Sequence, residues 1–236
     1  MHRGRRPSAV HEQLREYDMK KLITLLILLL PGAAMALPTI VFDTVPGGAG
    51  GTIVYGGAGG PAVGTNIQFV DIVGIDSPLN ANVVLDCVDC FLNFTTGANI
   101  QEGPPQYTWA GGGSFVLTGD VPALGLDDAV LLSGSFTGTP NTPGLVSSGA
   151  SALFLAIGAD TKNETLAGYY GFQPDGWTFA NTEIALGTFT PGEDGAFSAV
   201  PNQADLINAV PEPATLLLLG TGLAAAGWGR RKLLRG

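Results

Sequence analysis

Tyr107-Thr108-Trp109-Ala110-Gly111-Gly112-Gly113-Ser114-Phe115-Val116-Leu117-Thr118 is the stretch that decides how the middle of this chain folds. Two short runs rich in aromatic and β-branched residues flank a glycine cluster, which reads as strand, turn, strand. The same alternation continues in both directions. Working outward, strands are predicted at residues 39–43, 52–55, 66–73, 83–87, 91–95, 107–110, 114–118, 130–137, 152–159, 177–180, 184–189 and 197–200. No segment carries a helical period over eleven or more residues. Many short strands with turn signals at close spacing predict an all-β domain, a sandwich or a barrel, of which a single β-sandwich or jelly-roll is the expected form. Residues 46–62 are glycine-rich and read as a hairpin with loose loops around 52–55. Residues 139–149 read as a long loop, and residues 201–209 as a linker.

Composition narrows the function. Between residues 37 and 209 there are 16 Asp and Glu residues and a single basic residue, Lys162, for a formal charge of −15. Glycine is 28 of those 173 residues, about 16% against a usual ~7%. A domain with one lysine and no arginine cannot neutralise a row of phosphates, so nucleic acid is excluded as a partner. The remaining basic residues lie in the two terminal segments, which read as targeting signals to be set apart from the fold.

Met19-Lys20-Lys21, the apolar run at residues 22–30 and the small-residue site Ala34-Met35-Ala36 form a positive, apolar and cleavage region in order. Nine apolar residues span about 14 Å as helix, far short of a membrane core. Residues 19–36 are therefore expected to be a signal peptide removed by signal peptidase after Ala36. Residues 1–18 precede a complete signal with its own Met, and read as an untranslated or extended N-terminal segment. Residues 37–200 are the expected exported domain.

At the other end, Val210-Pro211-Glu212-Pro213 is followed by sixteen uncharged residues, 214–229, and then by Arg230-Arg231-Lys232. The prolines favour an extended conformation around Glu212, accessible to a processing enzyme. The apolar stretch, read as a short transmembrane helix, would reach about 24 Å, marginal as a permanent anchor, and the basic cluster after it would stay cytoplasmic. In order and spacing, residues 210–236 resemble the PEP-CTERM sorting domain of Gram-negative bacteria. The resemblance implies recognition by an exosortase, a membrane cysteine-type transpeptidase. It also implies transient residence in the inner membrane, then delivery to the cell surface or an exopolysaccharide or biofilm matrix. It implies no particular fold or activity for the domain that carries it.

Chemistry-bearing residues are sparse. Cys87-Val88-Asp89-Cys90 has too few partners for a zinc site, since the exported region holds no histidine and no other cysteine. A local disulfide stapling a turn between two strands is expected, contributing no more than about 2 kcal/mol. Both histidines, His2 and His11, precede the signal, so no Ser-His-Asp or Cys-His arrangement can form there. No catalytic residue is assigned, and the chain is expected to be non-enzymatic. Three rivals stay open. Asp71 with Asp76 and Asp86 with Asp89 are calcium candidates. Trp109 and Trp177 are candidates for stacking on sugar rings. A secreted hydrolase would need two carboxylates facing each other across about 5–10 Å.

Overall fold

The computed structural model describes residues 38–44, 47–101, 103, 105–137, 143–148, 150–175 and 177–209. In chain order the elements are β1 (Thr39–Asp43), β2 (Thr52–Tyr55), β3 (Ala62–Ile75), β4 (Val84–Thr96), β5 (Asn99–Gln101), β6 (Gln106–Trp109) and β7 (Gly112–Val121). There follow β8 (Leu126–Phe136), β9 (Gly144–Ser148), β10 (Ser151–Lys162), the short helix α1 (Glu164–Tyr169), β11 (Trp177–Pro191) and β12 (Phe197–Ala209). The all-β expectation holds. The signal peptide and the apolar C-terminal segment lie outside the described residues. Among the described residues no helix is long and apolar enough to cross a membrane.

The strands form one antiparallel sheet that closes on itself. From β1 the pairing runs through β3, β4, β7, β8, β10, β11 and β12, and β12 pairs with β1 again. β2 also pairs with β12 and β3, at their other ends, so β1 and β2 share one position of the ring. Of the two architectures expected from the strand pattern, this pairing is the closed barrel; it does not divide into two facing sheets as a sandwich would. Closure leaves no open sheet edge within the ring.

Inward residues alternate along each strand, as in β10, where Ala152, Phe154, Ala156, Asp160 and Lys162 are buried and Ser151, Leu155, Ala159 and Thr161 are exposed. Long strands keep this alternation only by resetting it. In β3, Ala62 is inward, then Ile67 and Phe69, then Ile72, with register shifts against β4 between Gly64 and Ile67 and between Phe69 and Asp71. Each bulge inserts a residue and exchanges the inward and outward sets. Asn66 turns through one of them at φ 53°, its N–H donating to Asn93 Oδ1 at 3.0 Å.

Both ends of the ring are covered. At one end β9 extends from the first half of β10, β6 pairs with β9 and β5 with β6. The Asn99 N–H at the far side of this flap donates to Gly59 O and Gly60 O in the β2–β3 turn, each 3.0 Å away. Under the flap Tyr107 and Trp109 pack against Tyr55, Phe197 and each other, with centroids 5.0–6.2 Å apart. At the other end α1 docks over the β3–β4 loop. Its N-cap is Asn163, whose Oδ1 accepts from the Thr165 and Leu166 N–H groups. Just beyond it, the buried Tyr170 hydroxyl lies 3.0 Å from the carbonyl oxygens of both Ile72 and Val83. Gly74 makes room for that ring, since a Cβ there would stand 2.4 Å from Tyr170 Cδ1.

Four local expectations change. Residues 201–209, read as a linker, are the body of β12, because Ala204, Leu206 and Asn208 face inward while Gln203 and Asp205 are less buried. Pro201 is tolerated there because it sits where the β11–β12 register shifts. Within the expected loop at 139–149, Gly144–Ser148 is strand β9. The runs at 83–87 and 91–95 are one strand, β4, rather than two, and those at 177–180 and 184–189 are both part of β11.

Candidate functional site

The barrel end under α1 concentrates the polar chemistry of the domain. β10, β11 and β12 run side by side, and their inward residues there are Asp160 and Lys162, Thr182, and Asn208. The Lys162 and Asp160 side chains are fully buried, with Nζ 2.8 Å from Asp160 Oδ1. The same Nζ is 3.0 Å from Asn208 Oδ1 and 4.1 Å from the centroid of the Trp177 ring. Burial pulls Lys162 down to about 8, opposed by the attraction of Asp160. Burial likewise raises Asp160, opposed by Lys162. Both shifts favour the uncharged pair, an amine beside a carboxylic acid. Asp160 Oδ2 and Asn208 Nδ2 in this cluster, and Thr182 Oγ1 further along β11, are buried without a hydrogen-bond partner among the described residues. Sequence reading identified Lys162 as the lone cation of the domain. Its partners were hidden because Asn208 lies 46 residues away, in what read as a linker.

On the outside, five carboxylates stand in register across adjacent strands. Glu183 on β11 pairs with Asp205 on β12, Asp205 with Asp43 on β1, Asp43 with Asp71 on β3, and Asp71 with Asp86 on β4. Partial burial first, and then hydrogen bonding and repulsion from Asp43 with the charge of Glu183, push Asp205 up to about 6. The calcium candidates are thus re-sorted. Asp71 and Asp86 face each other across β3 and β4, whereas Asp76 follows the end of β3 and Asp89 sits in a bulge of β4. Among the described residues no group of three or more His, Cys, Asp or Glu side chains is arranged to hold a metal ion.

Cys87 and Cys90 are joined by a disulfide, in the interior of β4 rather than at a turn between strands. Inward positions are 85 and 87 before it and 90, 92 and 94 after it, so the two cysteines bracket a change of parity. Asp89, at φ 48°, supplies the extra residue, and the β4–β7 register shifts between Val88 and Phe91. Gly119 on β7 lies against the bridge; a Cβ there would come within 2.4 Å of Cys90 Sγ. Trp109 and Trp177, the stacking candidates, are 0% and 3% exposed. Trp109 belongs to the aromatic cluster beneath the flap. Trp177 packs edge-on to Phe172, its Nε1 donating to the Gln173 carbonyl at 2.8 Å.

Ala209, the last residue of β12, pairs with Thr39 at the start of β1. The segments expected to be processed at both ends of the exported domain therefore adjoin neighbouring strands, at the end that α1 covers. The sorting residues Val210, Pro211, Glu212, Pro213, Arg230, Arg231 and Lys232, and the cleavage residues Ala34 and Ala36, lie outside the described residues. Residues 209–232 match the family model of the PEP-CTERM protein-sorting motif. The match begins where β12 ends and supports an exported chain processed by an exosortase. No curated protein and no solved structure matches the chain.

Proposed function

We propose that this chain is a non-enzymatic structural protein of the bacterial surface or extracellular matrix. In this reading signal peptidase cleaves it after Ala36, it is held transiently in the inner membrane of a Gram-negative-type cell, and an exosortase then processes it near Pro211–Pro213. The mature product is the closed barrel, associated with exopolysaccharide or biofilm matrix and requiring no cofactor. The match of residues 209–232 to the sorting motif carries the reading. Support comes from the pairing of Thr39 with Ala209, which ends the strands leading to the two proposed processing points side by side, on a body otherwise closed by its own pairing. The charge of −15 over residues 37–209 suits a solvated exported body.

Expression in a host with its exosortase, followed by fractionation and intact-mass determination of both termini, tests this. A product starting at Leu37, ending near Pro211–Pro213 and recovered from the surface or matrix is expected. A product that keeps residues 230–236 and stays in the membrane would make the tail an anchor and overturn the proposal.

A further inference from the structure

The buried cluster at the α1 end has the components of an amide-forming reaction. An amine, Lys162 Nζ, touches the carboxamide oxygen of Asn208 at 3.0 Å and a carboxyl oxygen of Asp160 at 2.8 Å, with water excluded from all three side chains. A slight turn of either side chain brings the amine over the carboxamide carbon, and fixed proximity of this kind replaces a bimolecular encounter. Read as a plain ion pair, the arrangement leaves Asp160 Oδ2 and Asn208 Nδ2 buried and without a hydrogen-bond partner among the described residues. Read as a reaction centre, those two atoms are a proton carrier and a leaving group.

We propose that Lys162 and Asn208 become joined by an intramolecular isopeptide bond after the barrel folds, with Asp160 as the catalytic residue. The uncharged amine attacks Asn208 Cγ while protonated Asp160 donates to Oδ1, stabilising the tetrahedral intermediate. Asp160 then takes a proton from Nζ, and protons pass to Nδ2 as the Cγ–Nδ2 bond breaks. Lysine amine and asparagine amide become a secondary amide and one ammonia, and Asp160 ends protonated as it began. No oxidant or co-reactant enters. The uncharged states that the reaction needs are those that burial favours for this lysine and aspartate. The bond would also remove the orphaned Nδ2 from the interior.

Its place in the fold gives it a use. Asn208 is the penultimate residue of β12, immediately before the sorting motif, and Lys162 lies on β10 with β11 between them. A covalent tie there would pass any pull on the C-terminal end directly to a second strand, so that β12 could not be stripped from the barrel.

Intact mass of the full chain expressed with its signal, compared with an Asn208→Ala variant corrected for the substitution, reads the bond directly. A wild-type deficit of about 17 Da, one ammonia, is expected. Lys162 is also the single trypsin site between residues 37 and 209, so wild-type chain that is denatured and reduced should resist the cut after Lys162 while Asn208→Ala is cut there. Full wild-type mass together with free cutting after Lys162 would overturn the proposal, and this holds even if the variant fails to fold. Asp160→Asn, checked for folding by circular dichroism, should fold yet keep its ammonia. A deficit that persists in it would overturn the role given to Asp160.

Discussion

At the flap end of the barrel, Tyr55, Tyr107, Trp109, Phe189 and Phe197 fill the opening with ring against ring. At the α1 end, Asp160, Lys162 and Asn208 form a buried polar cluster, two of whose atoms lack a hydrogen-bond partner among the described residues. The first end is held by non-directional burial, which tolerates imperfect geometry and adds up over area. The second is held by directed contacts whose partners are costly to remove. Stability and chemistry are therefore divided between the two ends, and substitutions at each should fail in different ways.

The largest loss is expected at the flap. Trp109 is fully buried, and its ring meets Tyr55, Tyr107, Phe154 and Phe197. Trp109→Ala should cost about 3–5 kcal/mol in chemical denaturation, with no dependence on pH between 5 and 8. A loss below about 1 kcal/mol would mean that the flap is not part of the cooperative core.

Lys162→Met comes next and behaves differently. Made in an Asn208→Ala background, where Lys162 keeps its free amine, it leaves the Asp160 carboxyl buried without its cation, at a cost of about 3 kcal/mol at neutral pH. Asp160 can escape that cost by holding its proton, so the deficit relative to Asn208→Ala alone should shrink as pH falls toward 4, and adding Asp160→Asn should recover most of it. A deficit equal at both pH values would remove the distinction between the two ends. Tyr170→Phe is the milder probe of the same end. Its hydroxyl lies within hydrogen-bond distance of two carbonyl oxygens, the buried Ile72 O and the part-buried Val83 O, and losing it should lower stability by about 1–2 kcal/mol. Hydrogen exchange should quicken in the β3–β4 loop before it does in the flap.

The two ends also differed in how far the sequence disclosed them. Tyr107 and Trp109 stand in a short run with clean alternation, bounded by glycines, so strand and turn were both legible there. What was not legible was that the run folds back over the barrel, because that depends on the β6–β9 pairing across some 40 residues. Strand lengths were underestimated wherever a bulge exchanges the two faces, as at Asn66 in β3 and Asp89 in β4, since a period of two is visible only between resets. Residues 201–209 were missed because Pro201 and the polar residues Asn202, Gln203 and Asp205 outweigh the inward set of Ala204, Leu206 and Asn208. The α1 cluster was hidden by that same error. Lys162 stood out as the lone cation, but nothing local announces that its partner lies in the last strand.

The smallest effect belongs to the outer carboxylate row, which contrasts with the buried pair because Asp205 has, in place of a cation, the Gln203 amide, whose Nε2 donates to its Oδ2 at 3.4 Å. Asp205 is held at about 6 in the folded barrel, above the ~3.9 of an unfolded chain. Below pH 4 both states hold the proton, and the group contributes nothing to the balance. Between about 4 and 6 the unfolded chain releases it first, so stability falls as pH rises through that window and stays at the lower level above it. Asp205→Asn removes the fall. Because the side chain is partly exposed and screened by solvent, the variant should gain no more than about 1 kcal/mol at pH 7 and nothing at pH 4. Salt should reproduce part of that gain in wild type, since it screens Asp43 and Glu183 from Asp205. A gain that is the same at both pH values would point to packing at Asp205 instead of charge, and one that salt leaves untouched would remove repulsion along the row as its cause.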